Sequence, residues 1–130
     1  MSVKAKGINA ERELVHMFWG NNWSSIRVAG SGSSRFPSPD LLASNAERTL
    51  AIEVKVTKGT YKHFLAKEID ELKTFSQIFG AEPWIAIKFK RSEWIFLNVH
   101  DLQSTGENYS ISVGNAKEKG IGFNELIDNI

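Results

Sequence analysis

Cysteine is missing from all 130 residues, which removes disulfides and thiolate metal centres and leaves the redox compartment open. There is also no apolar run long enough to span a bilayer, and Met1–Gly7 lacks the apolar core of a secretory signal. The expectation is therefore no membrane partner and a cytoplasmic location, or a host cytoplasm if the source is viral. Repeats and low-complexity tracts are absent as well. His16, His63 and His100 lie far apart and show no metal-ligand spacing. Charge of one sign is scarce too: 16 Lys and Arg stand against 15 Asp and Glu, a net of +1. That near-neutrality argues against tight, non-specific coating of duplex nucleic acid.

What is present fits one globular domain over residues 1–130, with 42% hydrophobic and 24% charged residues. The charge is unevenly spread. Residues 1–60 carry eight Lys and Arg against five acids, whereas residues 61–130 carry eight against ten. Three of the five acids in the first part are candidate metal ligands, so cation binding would leave that half distinctly basic.

The candidates begin with Pro39-Asp40 and Glu53-Val54-Lys55. Residues 49–56 alternate as a strand, with Leu50, Ile52, Val54 and Val56 on one face and Glu53 and Lys55 on the other. Asp40 opens a second apolar segment, Leu41-Leu42-Ala43, and Asn45-Ala46-Glu47-Arg48 reads as the turn of a hairpin joining the two. Such a hairpin sets Asp40 beside Glu53 and Lys55. Magnesium takes hard oxygen ligands, one or two of them protein carboxylates, and keeps several waters. Asp40 and Glu53 supply carboxylates of that kind, with the Val54 backbone carbonyl as a neutral third oxygen. Lys55 would orient the attacking water or stabilise the crowded phosphate. This constellation points to metal-assisted phosphodiester hydrolysis. A Glu-x-Lys pair alone equally describes a solvated edge strand, and it is the hairpin spacing to Pro-Asp that raises the reading above that.

A third acid lies on the first helix, expected from Lys6 to about Gly20. Ile8, Leu14, Val15 and Phe18 fall on the same face as Glu11, which places Glu11 in the middle of the apolar stripe. A carboxylate there needs a partner or a metal. The alternative puts Glu11 at the stripe's margin, paired with Lys6 or Arg12. Between helix and hairpin, residues 30–38 form a Gly- and Ser-rich segment expected to be a mobile loop. The hydroxyls of Ser31 and Ser33, the free amides and Arg35 suit phosphate contact.

Further on, Lys67–Phe79 repeats apolar residues at helical spacing (Ile69, Leu72, Phe75, Ile78, Phe79), a stripe for the core or for a dimer surface. Two strands, Trp84–Phe89 and Trp94–Val99, flank a basic turn, Lys90-Arg91-Ser92, which is either solvated or laid on a DNA backbone. Tyr61–Leu65 has no decided period, one strand is expected near Tyr109–Val113, and a short helix spans Phe123–Ile130. Trp19, Trp23, Trp84 and Trp94 read chiefly as packing residues. The order gives an α/β fold, a central mixed five-stranded sheet flanked by helices.

With these residues in place, the chain resembles the archaeal-type Holliday junction resolvases. These lie within the Pro-Asp…Glu-x-Lys superfamily that includes type II restriction enzymes. The resemblance rests on residues 6–14, Arg27-Val28-Ala29-Gly30-Ser31-Gly32-Ser33-Ser34, residues 39–43, Ile52-Glu53-Val54-Lys55 and residues 83–89, in order and at matching spacing. It implies a restriction-endonuclease-like fold, with Glu11, Asp40, Glu53 and Lys55 as metal and catalytic positions. Ser31 matches a loop serine that contributes to cleavage, and Arg27 falls where the family often has a basic residue that can meet DNA. It further implies a homodimer that nicks two opposed strands of four-way junction DNA with Mg²⁺, for which Mn²⁺ may substitute. Beside it stand the same fold acting on a flap, a mismatch or a specific duplex, a DNA-binding module without catalysis, and a purely structural dimer.

Overall fold

The computed structural model describes residues 3–30 and 35–128. Helix α1 (Val3–Trp19) leads into strands β1 (Ser24–Arg27), β2 (Leu41–Ser44), β3 (Thr49–Thr57) and β4 (Tyr61–Leu65). Helix α2 (Ala66–Phe79) follows, then β5 (Glu82–Phe89), β6 (Ile95–Asn98), β7 (Gln103–Ser104) and β8 (Asn108–Ser112), and helices α3 (Val113–Lys119) and α4 (Phe123–Asp128). Five strands form the central sheet in the order β1-β2-β3-β5-β6. Its pairs are antiparallel except β3 with β5, which run parallel through the α2 crossover. The expected mixed five-stranded sheet is therefore present.

Each face of that sheet has its own core. Leu50, Ile52, Val54, Trp84 and Ala86 pack against Ala10, Leu14 and Phe18 of α1 and Phe123 and Leu126 of α4. Ala51, Ile85 and Ile87 pack on the opposite side against Ile69 and Leu72 of α2. Glu53 and Lys55 share the parity of Ala51 and so face α2. Val56, grouped with the apolar face by its spacing, is 42% exposed.

Three features depart from the sequence reading. Tyr61–Leu65 is a strand, and it belongs to a second, three-stranded sheet in the order β4-β8-β7. Helix α3 was not expected at all; Ser112 caps its first turn by accepting from the Asn115 amide at 3.1 Å. Glu11 is not in the middle of the α1 stripe, which runs through Ala10, Leu14 and Phe18 and leaves Glu11 half-buried at its margin. Trp23, Trp84 and Trp94 are packing residues, whereas Trp19 is 58% exposed and donates its Nε1 hydrogen to the Ser25 carbonyl at 2.9 Å.

The hairpin turn is fastened from within and from afar. Asn45 Oδ1 accepts from the Glu47 and Arg48 amides at 3.0 and 2.7 Å, around Ala46 at φ 80°. The Arg48 guanidinium makes a two-pronged bond to Glu82, with Nε 2.9 Å from Oε2 and Nη2 2.8 Å from Oε1. Its Nη1 donates to the Leu126 carbonyl at 2.6 Å, and the group lies 5.6 Å from the Trp23 ring centre. One side chain thus ties the turn, β5 and α4. Arg48→Met should cost about 2 kcal/mol in urea unfolding, since it strands a carboxylate and a carbonyl. Pairing with Arg48 lowers the Glu82 pKa from its ordinary 4.5. The bridge therefore contributes above that value, and the gap between variant and parent should close as pH falls through the lowered one.

Candidate active site

The hairpin register explains how the site is made. Leu41 pairs with Ile52 and Ala43 with Leu50, and the last ladder bond runs from the Asp40 amide to the Ile52 carbonyl at 3.0 Å. Beyond that point β2 parts from β3. The Asp40 side chain takes over, its Oδ2 accepting from the Val54 amide at 2.8 Å. On an antiparallel edge the amide and carbonyl of one residue point the same way. The Val54 carbonyl is thus aimed at the side β2 has vacated. Sequence spacing alone anticipated this meeting of Asp40, Glu53 and the Val54 backbone.

Electrostatics records how close the acids stand. Burial, followed by the hydrogen bond to Asp40 and its charge, pushes the Glu53 pKa up to about 9. Two carboxyls in contact cannot both ionise unless a cation joins them. Glu11 has its pKa raised as well, first by burial and then by the Asp40 charge, against the pull of Arg27. Its Oε1 lies 3.4 Å from Arg27 Nη1, so the partner of Glu11 is a β1 residue rather than Lys6 or Arg12.

Lys55 completes the group from the α2 side. Burial disfavours its ammonium, yet the carboxylates of Glu53, Glu68 and Asp40 outweigh that and hold its pKa above the ordinary value. Glu68, in the first turn of α2, brings Oε2 to 3.0 Å from Lys55 Nζ. At that distance the two groups form an ion pair, one of the contacts that raise the Lys55 pKa. Glu68 was not singled out from the sequence. Its signal was available: it falls on the same helical face as Leu72 and Phe75, the pattern that drew attention to Glu11.

The donor set can be tested against a hard divalent cation. Among the described residues, no three Asp, Glu, His or Cys side chains form a group able to hold an ion by themselves. Glu11 arrives from the α1 side and is engaged by Arg27, while Glu53 belongs to the α2 side. The Asp40–Glu53 pair does fit, because magnesium takes one or two carboxylates and fills its shell with water. Burial and the neighbouring Asp40 carboxyl raise the Glu53 pKa, and a cation held between the two would favour the ionised form.

Ser31 and Ser33 lie outside the described residues. Arg35 is exposed on the chain entering Pro37, and Arg27 is half-buried on β1. The basic turn closes a groove with Lys58, Gly59, Thr60, Phe89, Lys90, Arg91 and Val113, at the ends of β3 and β5. Lys58 also meets Lys6 of α1, a contact that lowers the Lys6 pKa first by hydrogen bonding and then by like charge. Among the described residues no acid lines this groove.

The α2 stripe divides. Ile69 and Leu72 are buried, while Ile78 is 83% and Phe79 54% exposed. Phe79 closes one apolar groove with Ile26, Leu42 and Ala43, and a second with Pro37, Phe75 and Ile78. No helix among the described residues is long and apolar enough to cross a membrane.

The chain is similar in sequence and in fold to known proteins. The chain is 43% identical over 109 residues to the crossover junction endodeoxyribonuclease Hjc of Archaeoglobus fulgidus, covering 84% of this chain and 80% of that one. It is 35% identical over 122 residues to Hjc of Methanocaldococcus jannaschii, covering 94% and 86%. The 1.6 Å structure of A. fulgidus Hjc, a Holliday junction resolvase from an archaeal hyperthermophile, superposes with a TM-score of 0.85 at 39% identity, over 90% of this chain and 94% of that one. The family profile of archaeal Holliday junction resolvase (hjc) matches residues 2–130. With that match covering residues 2–130, and the expected mixed five-stranded sheet in place, the chain belongs to the archaeal Holliday junction resolvase family.

Proposed function

We propose that this protein resolves four-way junction DNA by hydrolysing one phosphodiester in each of two opposed strands, as a magnesium-dependent homodimer. The observation that carries the reading is the meeting of Asp40, Glu53 and Lys55 where β2 leaves β3. Family membership supports the substrate.

Asp40 and Glu53, with the Val54 carbonyl, would hold the cation, and Mn²⁺ would serve in its place. When bound, such an ion lowers the pKa of a water and offsets charge on the phosphoryl oxygens. The water oxygen bonds to phosphorus as the bond to the leaving strand breaks; one water proton departs to solvent and the leaving oxygen gains one. Lys55, held protonated among carboxylates, orients that water or donates to a non-bridging oxygen. Arg27 and Arg35 contact flanking phosphates, as do Ser31 and Ser33 of the loop. The Lys58–Lys90–Arg91 groove lies about 10 Å along β3 from Lys55 at 3.3 Å per residue, within reach of the same DNA arm.

A second copy covers the apolar face of Ile26, Phe75, Ile78 and Phe79. A two-fold partner presents the same patch, so the face is complementary to itself. It is continuous across two grooves that share Phe79.

The decisive experiment is a synthetic immobile junction incubated beside linear duplex and flap controls, with Mg²⁺, with Mn²⁺ and with chelator. Paired nicks in the junction alone, lost on chelation, are expected. Equal cutting of linear duplex would reject junction selectivity, and cutting that survives chelation would reject metal catalysis.

A further inference from the structure

Lys55 must keep one orientation in a site crowded with acids, and the carboxylates of Asp40 and Glu53 are committed elsewhere in the proposed chemistry. A flexible ammonium between them would be drawn onto the metal-binding oxygens. Glu68 supplies a competing anchor from α2. It projects from the first turn of α2, a helix fixed by Ile69 and Leu72 beneath the same sheet. Its Oε2 is shielded from solvent and lies 3.0 Å from Lys55 Nζ. A single contact of this kind engages at most one of the ammonium's three donors and leaves the others for water and phosphate.

We infer that Glu68 is a positioning residue for Lys55, an acid outside the Asp40–Glu53–Lys55 set that holds the ammonium on the α2 side of the site and leaves its other hydrogens free for water and phosphate. This deepens the nuclease reading and rests on it. Glu68 also sits where an acid favours the helix N-terminus, and that role alone would alter stability without touching the chemical step.

The separation comes from single-turnover cleavage and junction binding, measured on Glu68→Gln, Glu68→Asp, Lys55→Ala and the double variant Lys55→Ala/Glu68→Gln. Glu68→Gln should slow cleavage about tenfold to a hundredfold, the scale of a displaced catalytic group, with junction Kd unchanged. Glu68→Asp should recover part of the rate by restoring the charge. The double variant should be no slower than Lys55→Ala, because an anchor without its ammonium has nothing left to position. Wild-type rates in Glu68→Gln, or losses in the double variant equal to the product of the two singles, would overturn the assignment. Failure of the unaltered protein to cut would instead overturn the nuclease reading, so the two failures are distinguishable.

Discussion

Glu53→Gln will abolish junction cleavage, by at least about a thousandfold, while junction binding stays intact or tightens. The amide keeps the size of the acid but cannot neutralise a divalent ion, and removing an anion relieves repulsion of the phosphate. A single-turnover gel and an electrophoretic shift on one junction check both halves. Cleavage within tenfold of the parent would sink the role. The same variant has a signature without metal. In chelator, the Glu53 pKa of about 9 lies above its unfolded value of 4.5. A raised pKa means stability that is complete below the unfolded value and lost as pH climbs towards the folded one. The parent should therefore weaken between these limits relative to Glu53→Gln, whose midpoint should exceed it by a margin that grows with pH. Magnesium should cancel the difference by supplying the missing charge, and its affinity should itself rise with pH as Glu53 gives up its proton.

The second large effect is on assembly. Ile78→Asp together with Phe79→Asp will yield a folded monomer by analytical ultracentrifugation, with junction cleavage reduced about a hundredfold or more. Both side chains are exposed at the end of α2, so the charges enter no buried core position, although Phe79→Asp gives up the ring stack on Phe75. In a self-complementary interface each appears twice, and buried unpaired carboxylates are intolerable there. A variant that remains a dimer would place the interface elsewhere.

Strand β3 was legible because its alternation leaves one solution: Leu50, Ile52 and Val54 must be buried, so Glu53 and Lys55 must face the other way. Asp40 was legible through hairpin spacing. Glu11 was misplaced because a helical stripe is broad: the buried line of Ala10, Leu14 and Phe18 shares two members with the expected stripe and is centred only about 60° from Glu11. Glu68 escaped because the α2 stripe was read through its apolar members only. The second sheet was missed because β7 is two residues long, and β4 buries only Phe64 fully, with Tyr61, His63 and Leu65 exposed. Helix α3 is seven residues with a glycine at its second position, too short for a period to show.

One earlier feature limits where evolution or engineering can act. Strand β3 is hydrogen-bonded on both sides, by β2 and by β5. Sliding it by one residue would turn its acid and lysine into the α1 layer and push leucine and isoleucine into the cleft. Changes of substrate preference must therefore enter around this fixed rail, as at the 89–92 turn between β5 and β6, where length can vary without shifting β3.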